Sequence, residues 1–313
     1  MTAPDPSSVR HDGPWRHVDV HSDGIRLHAA MTGPESADAP LVVLLHGYGT
    51  YWWTWRHQLT GLAALGYRVA AVDLRGYGDS DKPPRGYDGW TLAADVAGLI
   101  RGLGHDEAVV VGHGDGGLVG WATALIRPGR VRALITVGAP HPLVLRRAVL
   151  RDRRQRRAVL GELLADQLPR LAERRLTRDD GAGTDALLAR RAGDFADDPE
   201  FARARRRYRR AAQIVPSAHC RLEYHRWAFR SQFRPDGRRF RRAMRRRTTA
   251  PVLQIRGTAD PYVLPHVAAR VPAGPPVEQA ALDAGHFVHE QRPEETTAVI
   301  ADFLRAHGCA PDA

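Results

Sequence analysis

Residues Val109-Val110-Val111-Gly112-His113-Gly114-Asp115-Gly116-Gly117 join a β-branched run to a stretch patterned as a helix. A strand that turns sharply into a helix lifts the residue at its crest above the sheet, where a nucleophile can stand. The helix start next to it offers free N–H groups and a dipole that favours negative charge. With Gly112 and Gly116 as the small residues that let strand and helix cross, the crest falls on Gly114, which has no side chain. The neighbouring Asp115 has the position of an N-cap or first-turn carboxylate, a structural role that needs no catalysis. If the turn slides by one residue, Asp115 becomes an aspartate nucleophile and His113 stands where a small residue is needed.

The elements that must position this turn are legible around it. His17 to Val20 and Ile25 to Ala29 alternate about Ser22-Asp23-Gly24, which predicts an antiparallel hairpin. Leu41 to Leu45, Tyr67 to Asp73 and Val131 to Val137 are apolar runs suited to strands covered on both faces. Helix patterns run from about Thr54 to Leu65, through Leu92, Val96, Leu99, Ile100 and Leu103, and through Leu118, Trp121, Ala122, Leu125 and Ile126. From about His141 to Thr249 strand patterns stop and Arg/Ala/Leu helices take over, broken by a Gly/Asp-rich loop at Asp179 to Asp185. The alternation resumes with Pro251 to Ile255, a helix near Val263 to Arg270, a strand at Val277 to Leu282, and a helix from Pro293 with Glu294 and Glu295 in its first turn. This βα alternation predicts an α/β fold with a mainly parallel sheet. Its core would be residues 1–140 and 250–313, with 141–249 inserted as a helical lid.

The 313 residues, 43% hydrophobic, suffice for a large buried core. No run of about 18 apolar residues predicts a membrane span. Met1 to Arg10 lacks the order of a secretory signal, which places the chain in the cytoplasm. Cys220 and Cys309 form no disulfide framework or metal-type spacing, and nothing calls for a metal or cofactor. The net charge of +11 is almost wholly arginine, Lys82 being the only lysine. The arginines gather at 146–157, 203–210 and 238–247, with Leu and Ala between them at helical spacing. That pattern reads as solvated helix faces and not as a specific nucleic-acid site. The oligomeric state has no signature in the sequence.

With these pieces in place, the sequence resembles the epoxide-hydrolase-like branch of the α/β-hydrolase family along nearly its whole length. The resemblance lies in LLHGYGTYWWTWRHQL (44–59), VDLRGYGDSDKPPRGYD (72–88), VVVGHGDGGLVGW (109–121), GAPHP (138–142), QIRGTADPYV (254–263) and DAGHFVHEQRPEE (283–295). It implies the α/β-hydrolase fold, a mostly parallel eight-stranded sheet flanked by helices with an inserted helical lid. It makes Gly114 the nucleophile position, Asp260 the triad acid and His286 the base. In such a pair the imidazole takes a proton while the carboxylate fixes its tautomer. The backbone N–H groups of Tyr48 and Asp115 are implied as an oxyanion hole, in a loop where Gly49 replaces the family's proline. Two lid tyrosines normally clamp the epoxide oxygen in this branch. No tyrosine lies between Tyr87 and Tyr208, so the first is missing, and the second slot falls on Tyr224 or His225.

The expected function is hydrolysis of a small hydrophobic ester, lactone or epoxide-like substrate in a lidded pocket. With Gly at the crest, the His286-Asp260 pair would activate water directly. The alternative is a non-hydrolytic member: a pseudoenzyme, a ligand binder or a lyase/cyclase-type catalyst.

Overall fold

The computed structural model describes residues 3–22, 24–36, 38–270 and 277–311. Eight strands form one sheet: β1 (Arg16–Ser22), β2 (Ile25–Thr32), β3 (Leu41–Leu45), β4 (Arg68–Val72), β5 (Ala108–His113), β6 (Val131–Val137), β7 (Val252–Gly257) and β8 (Val277–Leu282). Their spatial order is β1-β2-β4-β3-β5-β6-β7-β8. β2 is antiparallel to β1 and β4, and every pairing from β4 to β8 is parallel. Ser22 lies opposite Ile25, as the hairpin predicts, although Asp23 of the expected turn is outside the described residues.

The core helices are α1 (Arg56–Ala63), α2 (Gly89–Gly102) and α3 (Asp115–Ile126). Between β6 and β7 the chain forms α4 (Pro142–Arg151), α5 (Arg153–Ala165), α6 (Leu171–Ala192), α7 (Pro199–Ala211), α8 (Ser217–Arg230) and α9 (Pro235–Ala243). α10 (Pro265–Ala268), α11 (Val288–Gln291) and α12 (Pro293–Ala306) complete the fold.

The continuous apolar runs have a direct cause, because successive side chains of one strand point to opposite faces and both faces are covered. Val42 and Leu44 of β3 and Val109 and Val111 of β5 pack with Leu59 and Leu62 of α1 and Phe303 and Leu304 of α12. Val43, Leu45 and Val110 pack on the other face with Leu92, Val96, Leu99 and Ile100 of α2 and Val119 and Ala122 of α3. Burying each such side chain stabilises the fold by roughly 1.5–3 kcal/mol. The central strand β5 is thereby fixed between β3 and β6, and its C-terminal end with it.

Three expectations shift at their edges. The break expected over Asp179 to Asp185 is confined to Arg178, Asp179, Asp180 and Gly181, after which α6 resumes. The helix expected from Val263 to Arg270 is only the single turn α10, since Pro265 sets its start. The stripe on α3 is wider than expected: Leu118 and Ile126 are half-buried, while Val119, Gly120 and Thr123 are buried with Trp121, Ala122 and Leu125. In α7 the arginines behave as a solvated face, with Phe201, Ala204, Tyr208 and Ala211 turned inward and Arg203, Arg206, Arg207 and Arg210 exposed.

Candidate active site

The strand-to-helix junction has the geometry of a nucleophile turn. Gly114 adopts φ 50° and ψ −118° between β5 and α3. L side chains are strained in that backbone region, and glycine is not. The flanking glycines are required by close approach: a Cβ on Gly112 would lie 2.4 Å from the Gly116 oxygen, and one on Gly116 2.3 Å from the Leu45 oxygen. At Gly114 the space is open. A Cβ there would meet only the Gly47 Cα at 3.6 Å and His286 Nε2 at 3.7 Å, both ordinary contacts.

His286 and Asp260 come from the ends of neighbouring strands, β8 and β7, at the same rim of the sheet as the turn. His286 Nδ1 donates to Asp260 Oδ2 at 2.9 Å, and both side chains are only 1% exposed. Asp260 Oδ1 accepts from the Tyr262 and Val263 N–H groups at 2.8 and 2.9 Å. The carboxylate is thus held on both oxygens, and the imidazole presents Nε2 towards Gly114 with no hydrogen-bond partner and sealed from solvent. Beneath it, His113 donates from Nε2 to the His286 carbonyl at 3.1 Å. Burial, with His289 and His286 nearby, pushes the His113 pKa well below its usual value, so it is neutral.

Tyr48 follows Gly47 at the end of β3. His46 fixes that loop, accepting at Nε2 from the Leu74 N–H at 3.1 Å, and Thr50 donates from N to the Gly47 carbonyl at 3.3 Å. Gly49 has φ +83°, which proline cannot adopt, and a Cβ there would lie 3.2 Å from Leu188 of α6.

The helical segment supplies the rest of the surroundings. Tyr224 and His225 are adjacent in α8 and diverge. Tyr224 donates to the Arg75 carbonyl at 2.8 Å and packs beside Tyr77 and Tyr87. His225 turns to the junction, with Nε2 3.4 Å from Asp115 Oδ2 and Nδ1 donating to Asp166 Oδ2 at 2.7 Å. At 3.4 Å the first contact is an ion pair and not a well-formed hydrogen bond. Burial disfavours the imidazolium, but Asp115 and Asp166 outweigh it and raise the His225 pKa to about 10. Against burial, His225 and Arg191 in turn hold the Asp115 carboxyl below its ordinary range. Tyr208, the other tyrosine between β6 and β7, is committed elsewhere, donating to Glu290 at 2.8 Å.

Several groups here carry no sequence signal. Tyr48 stacks on His225 with ring centroids 4.2 Å apart and donates to Asp166 at 3.3 Å. Arg191 of α6 is buried, pairs with Glu162 of α5, and lies 3.8 Å over the Tyr262 ring and 5.0 Å from that of Tyr48. Arg221, 2% exposed, donates to Thr184 at 2.6 Å and has no carboxylate partner among the described residues. Tyr77, from the Gly-rich turn after β4, is buried, and its ring packs edge-on against His46 with centroids 4.6 Å apart. The ligand-type atoms of Glu162, Asp166 and His225 lie within 4.8 Å of one another. Arg190 and Arg191 bind Glu162, and Arg175 and His225 bind Asp166. The cluster is therefore a salt-linked network.

The fold and this rim of strand ends agree with comparison to known proteins. Residues 40–293 match the family model for the alpha/beta hydrolase fold, and the chain belongs to that family. Within it, epoxide hydrolases are homologues. Epoxide hydrolase A of Mycobacterium tuberculosis is 32% identical over 322 residues, covering 91% of this chain and 96% of the relative. The AB hydrolase superfamily protein YfhM of Bacillus subtilis is 45% identical over 130 residues, 41% of this chain and 44% of its own length. That match, like those to several curated epoxide hydrolases, spans less than half of the relative. Among solved structures, epoxide hydrolase A from Mycobacterium thermoresistibile superposes with TM-score 0.72 at 30% identity, over 93% of this chain and 98% of the other. No helix among the described residues is long and apolar enough to cross a membrane.

Proposed function

We propose that the chain is a hydrolase in which His286, oriented by Asp260, activates water over Gly114 for direct attack on a small activated ester, lactone or epoxide. One observation carries this reading: His286 Nε2 is buried, unpartnered and 3.7 Å from where a residue-114 Cβ would stand. Water held there gives its proton to Nε2 as its oxygen attacks, and Asp260 stabilises the imidazolium. For a carbonyl substrate, the N–H groups of Tyr48 and Asp115 receive the developing oxyanion. No covalent intermediate forms, so the reaction lacks the benefit of two easier steps. His225 takes the place of the second lid tyrosine as proton donor to an opening epoxide, its imidazolium facing Asp115 at 3.4 Å. The charged and hydroxylated groups around Tyr48 support a substrate with a polar end. In this scheme residues 141–249 are the lid on a core of 1–140 and 250–313. The buried free thiols Cys220 and Cys309 suit a reducing cytoplasm.

The test is a panel of p-nitrophenyl esters and aryl epoxides, with intact-mass analysis during turnover. Turnover that is abolished in His286→Ala and leaves no adduct on the chain supports direct water attack. An acyl or alkyl adduct on Asp115 overturns it. The second reading, a non-hydrolytic binder or lyase/cyclase-type catalyst, draws on the absence of any side chain at Gly114. Specific ligand binding with no turnover across the panel would select it.

A further inference from the structure

We propose that a cleft between the N-terminal segment and α7, sharing no residue with the strand-end site, binds a di- or triphosphate group. The cleft has a volume of about 390 Å³, within the range of small-molecule sites. Ser8 of the 3-10 turn Pro6–Val9, His11, and Arg203, Arg206, Arg207 and Arg210 of α7 line it. The four arginines stand three and four residues apart, so they share one face of the helix and repel one another. The remaining arginines of α7 are neutralised within the chain, Arg205 by Asp185 at 3.0 Å and Arg209 by Asp180 at 2.9 Å. Among the described residues no carboxylate pairs with the four in the cleft. The helix thus carries a surplus of positive charge on the face that borders a cavity.

Two features prepare this surplus for a ligand. The Arg207 guanidinium lies 4.0 Å over the Trp53 ring, a cation–π contact that fixes it in advance of binding. His11 Nε2 and the Tyr51 hydroxyl share a hydrogen bond of 2.7 Å that holds the cleft wall. Burial first, and then the charges of Arg207, His17 and Arg210, push the His11 pKa down to about 4. The ring is neutral, and the arginines alone supply the charge. Positions 203 to 210 extend over roughly 10 Å of helix, the reach of a short chain of phosphates. Guanidinium groups bind phosphate oxygens through paired hydrogen bonds, and a single phosphate would leave part of this row unmatched.

The experiment is calorimetric titration of the full chain with sodium tripolyphosphate, ATP and sodium sulfate at constant ionic strength, with thermal melts in parallel. The wild type is expected to bind one tripolyphosphate saturably, at least about tenfold tighter than sulfate, and to melt higher in its presence. Arg206→Gln with Arg210→Gln removes two exposed guanidinium groups from the cleft. This pair should weaken tripolyphosphate at least about tenfold, the scale of one lost charged hydrogen bond. Arg238→Gln with Arg245→Gln lowers the net charge equally at exposed positions elsewhere and should leave the affinity unchanged. The melts confirm that both double variants are folded. ATP bound tighter than tripolyphosphate supports the site as one for nucleotides, and equal or weaker ATP supports it as one for the phosphate chain alone. Absence of saturable binding, sulfate as tight as tripolyphosphate, undiminished affinity in folded Arg206→Gln/Arg210→Gln, or an equal loss in the control pair overturns the site. Binding is read without turnover, so this result is independent of the hydrolytic reading.

Discussion

Replacing Gly114 with aspartate tests whether the turn lacks only a side chain. The backbone there has φ 50° and ψ −118°, and the new Cβ meets nothing closer than 3.6 Å. Sterics therefore add little, and the cost is that of holding a non-glycine residue in a sparsely populated region, about 1–3 kcal/mol. At about 2.1 cal/mol/K per residue, the 313 residues carry an unfolding entropy of about 0.66 kcal/mol/K. The melting temperature should fall by about 1.5–4.5 °C. Gly114→Ala isolates the backbone contribution and should fall by a similar amount. The same aspartate places a nucleophile before His286 Nε2, and epoxide turnover should rise by about 10²-fold or more, as expected when a missing catalytic group is supplied. Differential scanning fluorimetry and steady-state rates on one preparation give both numbers. An alanine variant that melts with the wild type refutes the strained crest. An aspartate variant that folds and gains no activity refutes the view that one absent side chain is the deficit.

Other outcomes follow from the same geometry. Asp260→Asn should reduce any hydrolysis by about 10²-fold or more at unchanged fold, because the amide no longer fixes the imidazole tautomer; full activity would remove Asp260 from the mechanism. His225 has a folded pKa of about 10, above its unfolded value. Its pairing thus stabilises the fold fully below about pH 6.5 and is lost as pH rises towards 10. His225→Gln should flatten the decline of melting temperature across that window, and an unaltered profile would count against the charged imidazole. Asp166→Ala leaves His225 and Arg175 with fewer partners in a buried network and should destabilise by about 3–5 kcal/mol, measured by urea unfolding. Gly116→Val brings its Cβ 2.3 Å from the Leu45 oxygen and should yield little folded protein, whereas a soluble variant with wild-type melting would contradict the crossing geometry.

Where burial on both faces dictates composition, the sequence is nearly transparent. Leu41 to Leu45 and Val131 to Val137 are strands over those same residues. The elbow is legible for a related reason, since contacts of 2.3 and 2.4 Å leave glycine as the only residue for positions 112 and 116. The helical segment is opaque because helix facing is decided by its neighbours. Tyr224 and His225 are one residue apart and point to different cores, which no linear pattern separates. Arg191 is buried and Arg190 is largely exposed, though the two are alike in type and adjacent. Both pair with Glu162 on a different helix, and only Arg191 also lies over the Tyr262 ring, at 3.8 Å.

The unstrained crest also bears on how the chain tolerates change. A scaffold that keeps a strained residue at this turn gives up about 1–3 kcal/mol of stability. Glycine at position 114 returns that margin, which is the size of one typical destabilising substitution. A chain with that reserve can carry buried charges such as Arg221 close to its strand ends without falling below the threshold for folding. Glycine at position 114 and the polar character of the overlying helices are then linked through stability, with the first widening the range of sequences open to the second.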